Sequence, residues 1–504
     1  MIKKSKSKVL CLVAAAAISL TSIAGCSTGK KNDSAGTNSA TTKEQKENKP
    51  KPVLKHLGNF SGFDPNNDPV AKAIEEKTGY KVEYYELPAQ NANEKLSLEI
   101  ASNNSYDSLK LNIGQYNMLT SQGAILEIDK LLDSNGQNIK KVIGNDSWNA
   151  IKIKDKTYGV PEKNAADVIN TAIAIRQDIL EKLNLQVPKT IDEFYNVSKT
   201  IKEKTGILPF AAEPTDVLVD TIYSAFGLAT QWTDINGTLV HRTENAGMKQ
   251  YLEFMGKMYK EQLIDPDMPV NKRTNVKEKF SSGQAAMMRF AYFDAPTVLP
   301  ALEKNVPGAK VAYIEPLIGT NKQQGIAVSK GVQWVACIPK SSKNAEDVIK
   351  WYDAKLQEDT HKYIAIGQEG THYNIKDGKY LPILPAFEKD RNNSSWYLTG
   401  IDEQKYPIYW QARVRKNEYQ SAAFDQIMKP IATAGKTDPL AWAPVMNSVS
   451  KYNTSLSTLE KDTYVKIIAG EGTKGYDEYL KNWNTSGGEE VKKEVNDWYK
   501  ASKK

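Results

Sequence analysis

The 504-residue sequence is poor in the groups from which metal centres and nucleophilic sites are built, with three cysteines and four histidines in all. His56, His241, His361 and His372 lack metal-ligand spacing, and no H-E-x-x-H, G-x-S-x-G or Walker A sequence occurs. Glycoside hydrolysis needs only two carboxylates, and 60 acidic residues single out no pair, so catalysis has no support from motifs. Net charge is also scarce once it is located. Of the formal +7, four charges belong to Lys3, Lys4, Lys6 and Lys8, and three more to residues 27–52, where six lysines meet three acids. The remainder is close to neutral, which removes the case for nucleic acid.

Hydrophobic runs are confined to the start. After the lysines, the chain is apolar from Val9 to about Leu20, too short for the roughly 20 residues that span a bilayer. A charged start, an apolar run and small residues before a cleavage point make an export signal over residues 1–25. Ile23-Ala24-Gly25-Cys26 resembles the lipobox of bacterial lipoproteins, which implies that Cys26 carries a lipid and becomes the new N-terminus. Residues 26–52 hold hardly an apolar side chain beyond that anchor and read as a disordered tether. With Cys11 in the signal, only Cys337 is left for the folded part, in the apolar run "VQWVACIP", where a buried core thiol is expected and no disulfide can form.

The remaining residues, about 450, exceed one core and imply at least two domains. Their beginning is α/β in rhythm. "VLKHLG" reads as a strand and "DPVAKAIEEKTG" as a helix capped by Asp68 and Gly79. "YKVEYYEL", "NANEKLSLEIASN" and "YDSLKLNI" continue as strand, helix, strand. Thr190 and Glu193 form a capping box, and helices dominate towards the C-terminus. Two motifs are decoys. "GEGTKG" (470–475) follows a helical pattern and not a strand, so its glycines end a helix and bind no dinucleotide. "DPNNDPVAKAIE" spaces Asp64, Asn66, Asp68 and Glu75 like a calcium loop but has Pro69 where the turn needs glycine, so a helix N-cap is expected there.

Aromatic residues in polar settings are abundant, and flat rings beside amides, carboxylates and guanidinium groups suit the apolar faces and polar edges of sugars. Several stretches together, "AIEEKTGYKVEYY", "QGAILEIDKLLD", "KDKTYGVPEKN" leading into "AIRQDILEKLNLQVPKTIDEF", "FSSGQAAMM", "GQEGTHYNIKDGKY" and "YDEYLKNWNTSGGEEVKKEVNDWY", resemble extracellular solute-binding proteins of family 1, the carbohydrate-uptake lipoproteins of ABC importers in Gram-positive bacteria. More distantly the chain resembles maltose-binding proteins.

The resemblance implies an α/β, two-lobed, periplasmic-binding-protein-like (type II) fold with hinge crossovers and a mostly helical C-terminal part. The first lobe is expected over 53–165 and 319–375, and the second over 166–318 and 376–504. An oligosaccharide would bind between the lobes and pass to membrane permease subunits, from a monomer lipid-anchored at the outer face of the cell membrane, with no cofactor or metal. Candidate ligand-binding residues are Asn59, Phe60, Gln115 and Tyr116 in the first lobe, and Trp232, Arg289, Tyr292, Phe293 and Asp294 in the second, with Trp334 and Trp410. "AAMMRFAYF" lacks the family's usual Gly-Pro before the stacking aromatic, which leaves Tyr292 and Phe293 both open for that role. An anchored polysaccharide-degrading enzyme and a receptor for a non-sugar solute are the alternatives.

Overall fold

The computed structural model describes residues 50–88, 91–102 and 106–503; the signal, Cys26 and most of the tether lie outside them. Fifteen strands occur among the described residues. β1 (Leu54–Gly58), β2 (Val82–Glu86), β3 (Ser108–Asn112) and β4 (Gly159–Lys163) come first. β5 (Ala172–Arg176), β6 (Leu208–Ala211), the hairpin β7 (Trp232–Ile235) and β8 (Thr238–His241), β9 (Ala285–Phe290) and β10 (Val311–Ile314) follow. The last are β11 (Ile326–Ala327), β12 (Val332–Cys337), the hairpin β13 (Tyr373–Lys376) and β14 (Lys379–Pro382), and β15 (Gly435–Lys436).

Local chemistry sets the element ends. The Asp68 carboxylate accepts from the Val70 amide at 2.8 Å, and Gly79 closes the same helix with φ 67°, a conformation that costs a residue with a Cβ. Thr190 and Glu193 make the reciprocal capping box. At 466–472 a helix ends through Gly470 and Gly472, both at positive φ, with no strand before them.

Two sheets organise two lobes. The first has the order β2-β1-β3-β12-β4, parallel except for β12, which enters antiparallel between β3 and β4. Side-chain alternation gives it two faces. Leu109, Leu111, Val335 and Cys337 fill one core, with Cys337 buried as expected, while Leu54, Val160 and Ala336 belong to the core on the other side. The second sheet runs β10-β5-β9-β6. In β5, Ile173 and Ile175 enter one core, and Ala172 and Ala174 the other.

Three segments join the lobes side by side. The Asn164 amide donates to the Gly331 carbonyl, the Ser329 amide to Val168 and the Val328 amide to Lys436, while β11 pairs with β15. Gly331 has φ 95°, and a Cβ there would stand 2.2 Å from the Ala441 carbonyl oxygen, so these segments touch backbone to backbone.

One boundary differs from the sequence reading. Residues after 375 do not pass directly to the second lobe, because Phe387, Tyr397, Tyr406, Tyr409 and Ala412 all pack in the first core. The chain crosses only at the next helix, Glu418–Ile427, whose Ala423 and Ile427 join the second lobe. The amphipathic pattern of "YPIYWQARV" specifies a buried face but not which core receives it.

Candidate functional site

In open α/β sheets, ligands sit beyond the carboxyl ends of the strands. In the first lobe those ends deliver Asn59, Asn112 and Lys163, with the start of antiparallel β12 at the same edge, where Trp334 pairs with Asn112 and Glu162. Below Trp334 lies a buried ion pair. Lys110 Nζ is 2.9 Å from both Glu162 oxygens and donates to the carbonyls of Leu398 (2.8 Å) and Ser395 (3.3 Å), with the Trp334 ring centroid 5.8 Å away. Two charges removed from water persist only with such complete pairing, and this one fastens residues 395–400 to the sheet.

In the second lobe the carboxyl ends of β6 and β9 deliver residues 213–216 and 291–294. Arg289 forms an ion pair with Asp216 (Nε to Oδ1, 2.5 Å) and donates from Nη2 to Thr215 Oγ1 at 3.2 Å. Burial pushes the Asp216 carboxyl up against the pull of Arg289. Tyr292 stands edge-on to Phe293 (5.4 Å), Phe424 (5.2 Å) and Trp410 (6.4 Å). Trp410 packs on the first-lobe core and Tyr292 on the second, so the cluster spans both lobes. Phe293 is 61% exposed at its end.

Further along, residues 214–217 lie against the helix Asn447–Lys466, which also lines a cavity of about 320 Å³. Its walls come from both lobes, with Ile113, Asn117 and Val332 from the first and Trp232, His241 and Trp483 from the second, and residues 440, 441 and 443–446 of the hinge complete the lining. Glu460 accepts from Trp483 Nε1 (3.3 Å) and Arg242 Nη2 (3.5 Å). His241 is neutral: burial, helped by Arg242 and Lys492, brings its pKa down to about 3, so its 3.8 Å approach to Glu460 is no ion pair. Asn117 Nδ2 donates to Ser450 Oγ at 3.0 Å across the lobes.

Several candidates from the sequence take other roles. Phe60 is fully buried, ringed by His56, Phe63, Tyr84 and Tyr397, and offers no face to a ligand. Tyr116 is equally buried and donates to the Ile151 carbonyl at 2.7 Å. Gln115 completes a capping box with Asn112, and its Nε2 reaches Asn93 Oδ1 at 3.2 Å. Asp294 accepts from the Ala291 amide and pairs with Arg273 and Lys277, each at 2.6 Å, and the hydrogen bonds and charges of these partners outweigh burial to hold its carboxyl below the usual range. Trp232 is 3% exposed, a ring of the second core that also lines the cavity. Tyr292 meets Trp410 between the lobes with Phe293 beside it, Arg289 lies at the end of β9, and Asn59 and Trp334 lie at the carboxyl-end edge of the first sheet, with Asn59 Nδ2 buried and without a partner. Glu460 and Trp483 are not among the sequence candidates, and His241 enters there only as a histidine without metal-ligand spacing; the helical spacing of Tyr476, Tyr479 and Trp483 is a core pattern that does not mark a site.

Two sheets with their carboxyl ends at a common cleft, chain crossovers beneath and walls drawn from both sides define a two-lobed binding protein. The chain belongs to the bacterial extracellular solute-binding protein family, whose model matches residues 65–355. It is 25% identical over 513 residues to lipoprotein LipO of Bacillus subtilis, covering 95% of this chain and 96% of that one. It is 24% identical over 467 residues to the polygalacturonan/rhamnogalacturonan-binding protein YtcQ of the same species, covering 87% and 89%. The fold is shared with the ABC-transporter substrate-binding protein FusA of S. pneumoniae, solved in complex with kestose, at a TM-score of 0.67 and 16% identity over 90% of this chain and 99% of that one.

Proposed function

We propose that this protein is the receptor of an ABC importer and takes an oligosaccharide into the cleft between its lobes. The observation that carries the reading is the aromatic cluster of Tyr292, Phe293 and Trp410, which draws rings from both lobes to one edge and leaves Phe293 open. Such rings supply area with little side-chain freedom to lose, and Trp334, Arg289 and Asn59 place polar or flat groups along the same edges. That YtcQ is a polygalacturonan/rhamnogalacturonan-binding protein and FusA was solved with kestose supports the same class. The lobes close on the sugar by bending at the crossovers and release it to permease subunits that favour the open arrangement. The protein acts as a monomer on the outer face of the membrane, held through lipid on Cys26, and returns its sugar unchanged.

The test is calorimetric titration with defined oligomers, galacturonate and fructan series included, combined with small-angle scattering. Saturable binding with compaction, and recovery of intact sugar after long incubation, are the expected results. Shortened or unsaturated products would place the protein among enzymes, and absence of binding across neutral and acidic series would remove the sugar reading.

A further inference from the structure

The cavity of about 320 Å³ at the hinge is unlike the cleft edges above it. At the small end of the range for ligand pockets, about 300–1,000 Å³, it has room for a sugar ring but not for a chain. Among the described residues, no lysine or arginine lines it, and its one acid is Glu460, already engaged by Arg242 and Trp483. A carboxylate entering here finds no free cation to pair with. Its aliphatic part is made by Leu440, Ala441, Val445 and Met446, whose side chains offer a hydroxyl no good partner.

Among the described residues, one buried side-chain polar atom of the lining is left over. Asn117 is 8% exposed and lines the cavity; its Nδ2 is used by Ser450 and its Oδ1 is buried with no partner. Rotating the amide exchanges which atom is orphaned but leaves one orphan either way. A sugar hydroxyl, which both donates and accepts, satisfies either arrangement. Exposed Asn453 and Ser457 at the rim give entry from solvent.

We infer that this cavity holds one uncharged, methyl-bearing sugar unit of the ligand, either a 6-deoxyhexose or an acetylated sugar, with a ring hydroxyl on Asn117 and the methyl group against Val445 and Met446. The inference rests on the oligosaccharide reading but concerns a different part of the site. It separates this chain from a receptor that reads uronates at every position.

The experiment uses the folded protein with 13C-methyl methionine, the Met446 signal being assigned through Met446→Leu. Matched glycosides are titrated: methyl rhamnoside against methyl mannoside, methyl N-acetylglucosaminide against methyl glucoside, and methyl galacturonoside alone. The expected result is that the methyl-bearing member of one pair shifts the Met446 signal with at least fivefold tighter binding than its partner, and which pair does so distinguishes the deoxy from the acetyl source. Val445→Thr should narrow that ratio, and Asn117→Ala should weaken binding about tenfold more than Ser450→Ala, which loses the same interlobe bond, with its bias towards closure, but keeps the orphan. Equal or tighter binding of the hydroxyl partner or of the galacturonoside at Met446 overturns the inference, as does a silent Met446 while calorimetry shows an oligosaccharide bound elsewhere. A silent Met446 with no oligosaccharide bound at all removes both readings, whereas a responding Met446 without oligosaccharide binding keeps the selectivity of the cavity and overturns its assignment to one unit of a longer ligand.

Discussion

Asn117 and Ser450 meet across the two lobes, with Nδ2 of the first donating to Oγ of the second at 3.0 Å. The bond joins the helix that follows β3 to the helix that backs the second core, so it is made only when the lobes hold this angle. Its removal by Ser450→Ala should favour the open arrangement. We expect a larger radius of gyration in small-angle scattering without ligand and a thermal midpoint unchanged within 1–2 °C, on the order expected when a single partly exposed hydrogen bond worth about 1 kcal/mol is lost. An unchanged radius would show that the bond does not restrain the angle.

The aromatic residues divide by burial. Phe293→Ala should weaken sugar affinity by about 1–2 kcal/mol with little change in stability, since the ring is already in solvent. Phe60→Ala should cost about 3–5 kcal/mol of stability through loss of a fully buried ring. Denaturant titration and calorimetry of both variants separate the roles; the reverse pattern would exchange them.

Gly331 carries a steric and a conformational demand together, with φ 95° and the Ala441 carbonyl where a Cβ would go. Gly331→Ala should destabilise the protein by more than about 2 kcal/mol. Gly308 is the control, having φ 83° but open space beside it, so Gly308→Ala should show only the backbone cost of about 1 kcal/mol. Equal midpoints for the two variants would mean that contact at the hinge is unimportant.

Acid should weaken the fold through three histidines. Burial is the main cause in each case: His241 falls to about 3, His361 to about 4, and His56 well below its ordinary value, with Lys355 and Lys110 adding to the effect at His56. Below pH ~6.5 the unfolded chain takes up protons that the native rings refuse, so stability falls as pH drops towards 4, by up to about 1.4 kcal/mol per pH unit for each ring. Above pH 7 both states are neutral at these rings and the contribution is flat. Thermal melts from pH 7.5 to 4.5 should show this slope, reduced in His361→Gln; a slope unchanged by that substitution would assign it to other groups.

On the proposed reading, anchoring depends on one thiol. Cys26→Ala should move the protein from the membrane fraction to the medium, checked by fractionation and mass spectrometry of the N-terminus. Membrane retention of the variant would end the lipid-anchor reading.

What the sequence disclosed followed the range of the interaction. The Asp68 cap and the Thr190–Glu193 box rest on neighbours a few residues apart, and the strand, helix, strand rhythm of residues 53–113 marked the first sheet. Phe60 in "GNFSGF" and Tyr116 in "IGQYN" looked exposed because their sequence neighbours are polar. Their true neighbours, Tyr397 for one and the Ile151 carbonyl for the other, arrive from distant segments. Trp410 and Tyr292 were each nameable from the sequence, but their meeting was not, because it depends on the crossover after Ala412. Glu460, His241 and Trp483 come from three separate elements, and no local pattern announces such a group.

β12 lies between β3 and β4, although both precede it by a long stretch of chain that builds most of the other lobe. Until Cys337 has been synthesised, β3 and β4 are two open edges facing a gap, each offering unpaired amides and carbonyls to any extended chain nearby. Folding therefore has to wait for a distant strand, which makes it slow and leaves the newborn polypeptide dependent on something that covers those edges. A truncation anywhere before that strand should produce not a smaller domain but an insoluble one.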